Sequence, residues 1–295
     1  MSDFLEVMKR DVQNDCKPGE YVGDDLLIHC SKCGEPKQEL LKDPREYRCT
    51  PNLLHKKAVP RLCRCDREAG EEQRIAAVKR EREKATKEAR DDCFGSNSYI
   101  TARFDDKEDM GGIAKACYNY AERFTEKMKS GESPKESGVG ILLYGPIGTG
   151  KTYLAACIAN KLIDSGRKVK FTSLPSLCDR ITGNFGNVDS VLDELSRYDL
   201  VVLDELRKDE TESSNPKVSD RVYRIIDRLY SNKVPMIVTT NITAEDLNKR
   251  DGAAYRIYSR ILGRCVLIEV KGEDRRIKDS ETNKANLMGV IFDGH

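Results

Sequence analysis

The chain has 295 residues, enough for one large domain or for a medium-sized domain with a small satellite. Charged residues make up 34% of it, and no apolar run reaches the roughly 20 residues of a membrane helix. The first residues, MSDFLEVMKRD, include acids and no apolar segment, so we expect no secretory signal and a cytoplasmic protein. Fifty-one basic against fifty acidic residues give a net charge of +1, which excludes a broadly basic protein that coats nucleic acid.

Six of the eleven cysteines crowd into the first quarter of the chain. In a reducing compartment such crowding favours a metal site over disulfides. Cys30 and Cys33 form a rubredoxin-like Cys-x2-Cys turn, and a Cys-x-Cys pair follows at Cys63 and Cys65. Four thiolates suit tetrahedral Zn2+, which would stabilise a region with little core of its own. These four cysteines are therefore the predicted zinc ligands.

The second cysteine pair departs from the usual spacing, so other ligand sets stay open. Cys49, His29 or His55 could replace one of the four, and reduced thiols without metal are a further alternative. Residues 1–66 carry twelve basic and twelve acidic side chains, so they lack the positive charge with which a domain binds phosphate. This balance favours protein docking over a DNA-binding finger.

A charged segment follows from Asp66 to about Asp92. It is strongly helix-forming and carries close charge pairs, such as Glu83 with Lys87. Its few apolar residues do not form a coiled-coil seam, so we interpret it as a solvated helix. The chain then divides into three predicted parts: a small zinc-binding domain over residues 1–66, a charged helical linker over 67–96 and a globular domain over 97–295.

Residues beyond Gly95 show the pattern of an α/β domain. An amphipathic helix is predicted first, because apolar residues recur every three or four positions from Ile113 to Met128. Short apolar runs, separated by helical or polar stretches, then follow at residues 140–144, 168–173, 200–204, 235–240 and 265–270. Five buried strands that alternate with helices predict a mostly parallel five-stranded sheet with helices on both faces.

A phosphate-binding loop is predicted where GPIGTGKT stands between an apolar strand and a helix. Glycines let backbone N–H groups surround phosphate oxygens, the lysine reaches the β and γ oxygens, and the threonine hydroxyl binds Mg2+. The alternative is a glycine-rich turn that binds nothing. The predicted nucleotide-binding residues are Gly145, Pro146, Ile147, Gly148, Thr149, Gly150, Lys151, Thr152 and Tyr153.

Two acids end the apolar strand LVVLDE at residues 200–205. Carboxylates at the edge of an apolar core cost free energy unless a cation meets them. Mg2+ on the nucleotide would be that cation. We expect Asp204 to hold it together with Thr152, and Glu205 to polarise the attacking water. A solvated strand end is the alternative.

Polar and basic residues complete the pattern. Asn241 ends the strand PMIVTTN, where its amide would orient the water beside the γ-phosphate. Arg256 and Arg260 stand four residues apart in YRIYSRIL and so share a helix face. Arg275 and Arg276 follow the last strand in GEDRR, and surface salt bridging is the alternative for any one arginine. An arginine from a neighbouring subunit accelerates hydrolysis roughly 10³- to 10⁵-fold, so we expect self-association in the ATP state to act as a switch.

The ordered set GPIGTGKT, LVVLDE, VTTN and RIYSRIL with GEDRR resembles the AAA+ ATPases of the DnaC/IstB type, above all phage-encoded DnaC-like replicative helicase loaders. The resemblance covers about residues 97–278 and implies an AAA+ fold of the ASCE class with Mg2+-dependent ATP hydrolysis. By position it places the first sensor on Asn241. It implies a trans-acting arginine finger on Arg260, with Arg256 as the other candidate, and a second sensor-like arginine on Arg276. It also implies that the cysteine-rich domain docks on a helicase.

Two features depart from the family pattern. Many relatives follow the acidic pair with a small glycine, whereas this chain has Leu206 and Arg207 and then a polar DETESSNPK segment. Only 54 residues follow Asn241, too few for a full helical lid, so we expect a neighbouring copy to cover the nucleotide.

With this resemblance, the pattern predicts an ATP-dependent loader that binds a hexameric replicative helicase and delivers it to single-stranded DNA during replication initiation. The alternative is an IstB-like transposition helper ATPase, which would bind double-stranded DNA and a transposase. The cysteine-rich domain and the charged linker favour the loader, by resemblance rather than by chemistry. A small-molecule kinase is disfavoured because it leaves Asn241 and the paired arginines unexplained. A zinc module with a relict ATPase is disfavoured because every motif residue is present.

Overall fold

The computed structural model describes residues 2–40, 58–104, 111–133, 136, 138–183, 188–250, 252 and 254–275. The chain divides into two compact units, Met1–Glu83 and Lys84–His295. The predicted domain boundaries near residues 66 and 96 stay predictions. Within the described ranges, no helix is long and apolar enough to cross a membrane.

The first unit consists of short elements followed by the start of a long helix. Its elements are α1 Ser2–Gln13, β1 Glu20–Val22, β2 Ile28–Cys30, β3 Gln38–Leu40, β4 Ala58–Pro60 and α2 Arg64–Phe94, which continues into the second unit. The strands pair as two antiparallel ribbons, β1 with β2 and β3 with β4. Lys37 ties β1 to the start of α2 through ion pairs with Glu20 at 2.9 Å and Asp66 at 3.1 Å.

The helix predicted for the charged segment is α2. Its apolar residues Ile75 and Val78 are 59% and 61% exposed, because the side chains around them offer no continuous apolar stripe. The helix is therefore solvated at these positions, whereas its end packs into the core of the second unit through Cys93 and Phe94.

The second unit is built on a parallel sheet. Its strands are β5 Gly140–Tyr144, β6 Val169–Ser173, β7 Leu200–Leu206, β8 Met236–Thr240 and β9 Cys265–Glu269. They lie in the order β6-β7-β8-β5-β9, and each neighbouring pair is parallel. All five predicted strands are confirmed, and their ends differ from the predicted ones by one or two residues at most.

The helices of the second unit follow a 3-10 turn at Ser98–Thr101. They are α3 Gly112–Lys129, α4 Lys151–Asp164, α5 Leu174–Gly183, α6 Val188–Leu195, α7 Lys208–Thr211, α8 Pro216–Ser231, α9 Ala244–Leu247 and α10 Tyr255–Leu262. Ile141 and Leu143 of β5 pack in one core with α3 and α4, whereas Leu142 between them packs in the other core with α5, α6, α8 and α10. Alternate strand residues thus enter opposite cores. The predicted parallel sheet with helices on both faces is confirmed.

The strand order places the predicted motifs side by side. Parallel strands end at one edge of the sheet, and ligands of such folds bind in the crevice beyond those ends. The central neighbours β7, β8 and β5 end respectively at the acidic pair, at Asn241 and at the glycine-rich loop. The topology therefore brings together three motifs that lie far apart in the sequence.

Asn160 on α4 holds the turn at Ser98–Thr101 against the second unit's core. The side chain is fully buried, and its Nδ2 donates to the carbonyl oxygens of Tyr99 at 3.1 Å and Ala102 at 3.0 Å. An intramolecular hydrogen bond contributes about 0.5–1.5 kcal/mol to stability. This amide therefore stabilises the turn that carries Tyr99.

We expect Asn160→Ala to lower the free energy of unfolding by about 2 kcal/mol, because the two hydrogen bonds of the buried amide to the turn are lost. Urea denaturation followed by circular dichroism measures the change. Asn248→Ala is the matched control, because Asn248 is exposed and its loss should cost less than about 0.5 kcal/mol. An Asn160→Ala variant as stable as the wild type would contradict this role.

Candidate functional site

The predicted phosphate-binding loop connects β5 to α4 and needs glycine at both ends. Gly145 has a φ of 137°, and a Cβ atom there would lie 2.5 Å from the carbonyl oxygen of Val270. Gly150 has a φ of 97° and precedes the first residue of α4. Only glycine adopts such angles without strain. The loop therefore leads into the amino terminus of α4, where N–H groups and the helix dipole attract anions.

Lys151 and Thr152 begin α4 and connect the loop to its surroundings. The Nζ atom of Lys151 donates to the carbonyl oxygens of Gly145 at 2.9 Å and Pro146 at 2.5 Å. The Oγ1 atom of Thr152 donates to Oδ1 of Asp204 at 3.0 Å. The structure thus joins the glycine-rich loop to the acidic end of β7.

Asp204 and Glu205 lie at an irregularity in β7. The register of β7 against β8 shifts between Leu203 and Leu206, so that β7 contains one extra residue there. Glu205 adopts a φ of 62°, a left-handed conformation that costs about 1–2 kcal/mol for a residue with a side chain. Burial raises the pKa of Asp204, and hydrogen bonds from threonine hydroxyls oppose that rise. The two acids therefore differ in environment, since Asp204 is buried and Glu205 is exposed.

Thr239 on β8 is a site residue that our sequence analysis missed. Its hydroxyl donates to Oδ1 of Asp204 at 2.6 Å and accepts from the backbone N–H of Glu205 at 3.0 Å. The available signal was a pair of hydroxyl residues at the end of the buried strand MIVTT, because a buried hydroxyl needs a hydrogen-bond partner.

A cavity of about 760 Å³ lies at this edge of the sheet, a size that suits a small-molecule ligand. Glu205, Asn241 and Thr239 line it, and Asp204 is hydrogen-bonded to two lining residues. Six of the nine predicted nucleotide-binding residues also line it: Ile147, Gly148, Gly150, Lys151, Thr152 and Tyr153.

The other three predicted nucleotide-binding residues shape the loop. Gly145 and Pro146 offer the carbonyl oxygens that accept from Lys151. Thr149 is 3% exposed, and its hydroxyl donates to the carbonyl oxygen of Pro146 at 3.0 Å. These hydrogen bonds within the loop stabilise its conformation.

The oxygen atoms of Thr152 and Asp204 fit a magnesium ion. A hydroxyl and a carboxylate are the hard oxygen ligands that Mg2+ prefers, and it takes its remaining ligands from water and phosphate. A cation beside Asp204 would also compensate the charge of a carboxylate that burial destabilises. The site therefore suits a nucleotide bound with Mg2+.

Arg207 stands where the sequence departs from the family pattern, and it contacts the acidic pair. Its Nη2 atom lies 3.0 Å from Oε2 of Glu205, and this partner raises the pKa of Arg207. The chain then forms the short helix α7, whose Thr211 hydroxyl lies 2.7 Å from the hydroxyl of Tyr258 on α10. The segment after the acidic pair is therefore anchored to α10.

Arg275 is the arginine that the structure places at the cavity after β9. Its backbone N–H donates to the carbonyl oxygen of Gly148 at 3.1 Å, and its side chain lines the cavity. The predicted sensor-like Arg276 lies outside the described residues. Of the two arginines in GEDRR, the structure describes Arg275.

Arg256 and Arg260 lie on α10, outside the cavity. Arg260 donates through Nε to Asp227 and through Nη2 to the hydroxyl of Tyr223, the latter at 2.7 Å. The guanidinium group of Arg256 stacks 4.0 Å from the centre of the Tyr223 ring, and that of Arg260 lies 4.5 Å from it. Neither arginine lines the cavity of its own copy. Arg260 is held by two side chains, and Arg256 is exposed.

Cys30, Cys33, Cys63 and Cys65 form a separate cluster in the first unit, and their sulfur atoms all lie within 4.8 Å of one another. Cys30 and Cys63 are buried, and the other two are half-buried. Hydrogen bonds from backbone N–H groups, first that of Glu35, lower the pKa of Cys33 to about 6, whereas burial raises the pKa of Cys63 to about 11. A lowered pKa favours the thiolate, the form that binds metals. The structure therefore brings together all four predicted ligands.

The alternative ligands do not join this cluster within the described residues. His29 is engaged elsewhere, since Nδ1 lies 2.9 Å from the carbonyl oxygen of Gly34 and Nε2 lies 2.9 Å from Oδ1 of Asp25. Cys49 and His55 fall outside the described residues. Four thiol donors at this separation fit a tetrahedral ion, and Zn2+ prefers such a set. The cluster can hold a metal ion.

Comparisons with known proteins identify the family. Residues 118–283 match the IstB-like ATP binding protein family. Replicative helicase loader DnaC of Escherichia coli strain K12 is 30% identical over 156 residues, which cover 52% of this chain and 58% of that protein. The IS21 insertion sequence putative ATP-binding protein of Pseudomonas aeruginosa is 28% identical over 158 residues, which cover 52% and 57%. The match thus spans little more than half the length of these curated relatives.

Solved structures include similar chains. The crystal structure of the DnaC helicase loader matches over 59% of this chain and 98% of that one, at 20% identity and a TM-score of 0.49. The crystal structure of DnaI matches over 60% and 92%, at 24% identity and a TM-score of 0.44. The resemblance to DnaC/IstB-type AAA+ ATPases is confirmed by the family match, which covers more than half of the chain. The chain belongs to the IstB-like ATP binding protein family.

Proposed function

We propose that this protein is an ATP-hydrolysing loader of a hexameric replicative DNA helicase. The observation that carries the proposal is the convergence of the glycine-rich loop, the acidic end of β7 and Asn241 at one cavity. The similarity to DnaC supports helicase loading as the purpose of the hydrolysis. The cysteine cluster supports a separate domain for partner recognition.

The proposed reaction assigns one task to each group. The loop's N–H groups and Lys151 bind the triphosphate, and Asn241 orients the attacking water. Glu205 accepts a proton from that water as the water oxygen bonds to the γ-phosphorus. The bond from the γ-phosphorus to the bridging oxygen breaks, and ADP is the leaving group. Mg2+, held by Thr152 and Asp204, would neutralise charge on the phosphate oxygens.

The arginines support completion of the site by a second copy. Arg260 and Arg256 do not line the cavity of their own copy, as expected for groups that act on a neighbour's nucleotide. We propose Arg260 as the arginine finger, because Asp227 and Tyr223 hold its guanidinium group in place. Arg256 is the alternative, and Arg276 stays the predicted second sensor. ATP-dependent self-association would then control turnover.

Partner binding divides between the two units in this proposal. The first unit, with Zn2+ on its four cysteines, would dock on the helicase, and assembled ATPase domains would engage single-stranded DNA in the cytoplasm. Zn2+ would hold the two cysteine pairs together and would take no part in the reaction. Hydrolysis would release the helicase.

A transposition helper is the second candidate, because the IS21 ATP-binding protein of Pseudomonas aeruginosa is almost as similar as DnaC over the same share of this chain. In that case the partners would be a transposase and double-stranded DNA. The ATP site would work in the same way. The captured protein partner distinguishes the two.

Glu205→Gln should trap the ATP-bound complex, because the amide keeps the shape of the side chain and cannot accept the water's proton. We expect turnover to fall at least about 100-fold with ATP binding intact. Affinity capture from the host cell with ATP, followed by mass spectrometry, should then recover the hexameric helicase. Lys151→Ala is the matched control, which should lose ATP and the helicase together. Recovery of a transposase would support the second candidate, and recovery of neither protein would contradict helicase loading.

The cysteine cluster should bind one zinc ion per chain, measured by plasma mass spectrometry of the purified protein. Cys33→Ser should lower the zinc content to near zero and destabilise the first unit, because binding to four thiolates contributes an apparent ~10–16 kcal/mol. Cys16→Ser is the matched control, since Cys16 belongs to the same unit but not to the cluster. Full zinc content in Cys33→Ser would contradict the ligand assignment.

A further inference from the structure

Two consecutive threonines at the end of β8 are buried, and the mechanism above assigns neither a task. Thr239 and Thr240 are each 2% exposed. A buried hydroxyl costs free energy unless it is hydrogen-bonded, so a buried pair beside a reactive site must find partners there. Those partners all belong to the irregular end of β7 or to the residues that follow β8.

The hydroxyls compensate for the extra residue in β7. A bulge disrupts the ladder of backbone hydrogen bonds between two strands. The N–H of Glu205 donates to Oγ1 of Thr239 at 3.0 Å, and the carbonyl oxygen of Leu206 accepts from Oγ1 of Thr240 at 2.7 Å. Side-chain oxygens of β8 thus bind the backbone where the ladder is irregular.

Thr239 also binds the acid itself. Its hydroxyl accepts a hydrogen bond from the backbone N–H of Glu205 and also donates one to Oδ1 of Asp204 at 2.6 Å. The same carboxylate oxygen accepts from Thr152 at 3.0 Å. A hydroxyl that donates its proton in this way keeps its lone pairs for another partner, so Thr152 can still present oxygen to a cation. Thr239 therefore holds both the carboxylate of Asp204 and the backbone N–H of Glu205.

The conformation of Glu205 makes the hydrogen bond from its N–H to Thr239 important. Its φ of 62° is unfavourable for a residue with a side chain, so the surrounding contacts must hold it. The side chain leaves the backbone towards the cavity from this strained position. Without the hydroxyl of Thr239, the N–H of Glu205 would lose its hydrogen-bond acceptor. The strained backbone of Glu205 would then lose a contact that stabilises it.

We propose that Thr239 is a positioning residue for ATP hydrolysis, whose single hydroxyl aligns Asp204 for the magnesium-bound nucleotide and Glu205 for the attacking water. This inference rests on the proposed ATPase function and deepens it. In the proposal, Thr239 contacts neither the γ-phosphorus nor the attacking water. It acts through the two acids.

The test compares Thr239→Val, which keeps the shape of the side chain and removes the hydroxyl, with Thr239→Ser, which keeps the hydroxyl. We expect Thr239→Val to lower kcat at least about tenfold, because a hydrogen bond to a charged group is lost. The gain in affinity for a fluorescent ATP analogue on adding Mg2+ should also shrink, while affinity in EDTA stays the same because the glycine-rich loop is intact. Thr239→Ser should recover kcat to within about threefold of the wild type.

Thr125→Val is the matched control. Thr125 is also buried, but its hydroxyl donates to the carbonyl oxygen of Ala121 within α3, away from the cavity. We expect this variant to keep the wild-type kcat and Mg2+ response. If Thr239→Val does not fold, Thr239→Ala can replace it as the variant without the hydroxyl. It is then compared with Thr239→Ser, which keeps the hydroxyl.

Two results would overturn the proposal: a Thr239→Val protein with wild-type kcat and Mg2+ response, or a Thr239→Ser protein as impaired as Thr239→Val. A wild-type protein that binds ATP without hydrolysing it would instead refute the proposed function. In that case the Mg2+-dependent binding of the wild type and of Thr239→Val still decides whether Thr239 aligns Asp204.

Discussion

The hydrogen bonds that converge on the buried carboxylate of Asp204 hold the candidate ATP site together. Thr152 from the start of α4 and Thr239 from β8 donate to the same oxygen atom, and Asp204 itself lies in β7, two residues before its end. Burial opposes the charged form of this carboxyl group and raises its pKa. The arrangement is therefore favourable only if hydroxyl donors, and a cation beside them, compensate that charge. A single buried acid links three motifs that are distant in the sequence.

The fold supplies the positions of the site residues, and the central sheet is irregular beside the acidic pair. A parallel sheet with the order β6-β7-β8-β5-β9 places the ends of three central strands together. Within that regular frame, β7 carries an extra residue and Glu205 adopts a left-handed conformation. Strained backbone of this kind is typical of functional sites, where surrounding contacts maintain it. The residues that support the strain are hydroxyl side chains of the neighbouring strand.

Much of the architecture could be predicted from the sequence, because its signals are local. Strand runs, the GPIGTGKT loop and the cysteine pairs each lie within a few residues, and their chemistry demands particular residue types at fixed spacing. The roles of Thr239 and Arg275 could not be predicted in this way. Thr239 meets Asp204 across 35 residues of sequence, through a register shift that no local pattern shows. The hydrogen bond of Arg275 to Gly148 depends on the path of the chain after β9, which no local pattern shows.

We propose that two copies complete one ATP site, since the glycine-rich loop, Glu205 and Asn241 line the cavity while Arg256 and Arg260 lie outside it. The most direct test mixes Arg260→Ala with Lys151→Ala, each inactive alone, and measures ATP turnover across mixing ratios. We expect partial recovery, because the Lys151→Ala copy offers an intact arginine to the intact loop of its neighbour. Mixtures that stay inactive at every ratio, for Arg260→Ala and equally for Arg256→Ala, would contradict it.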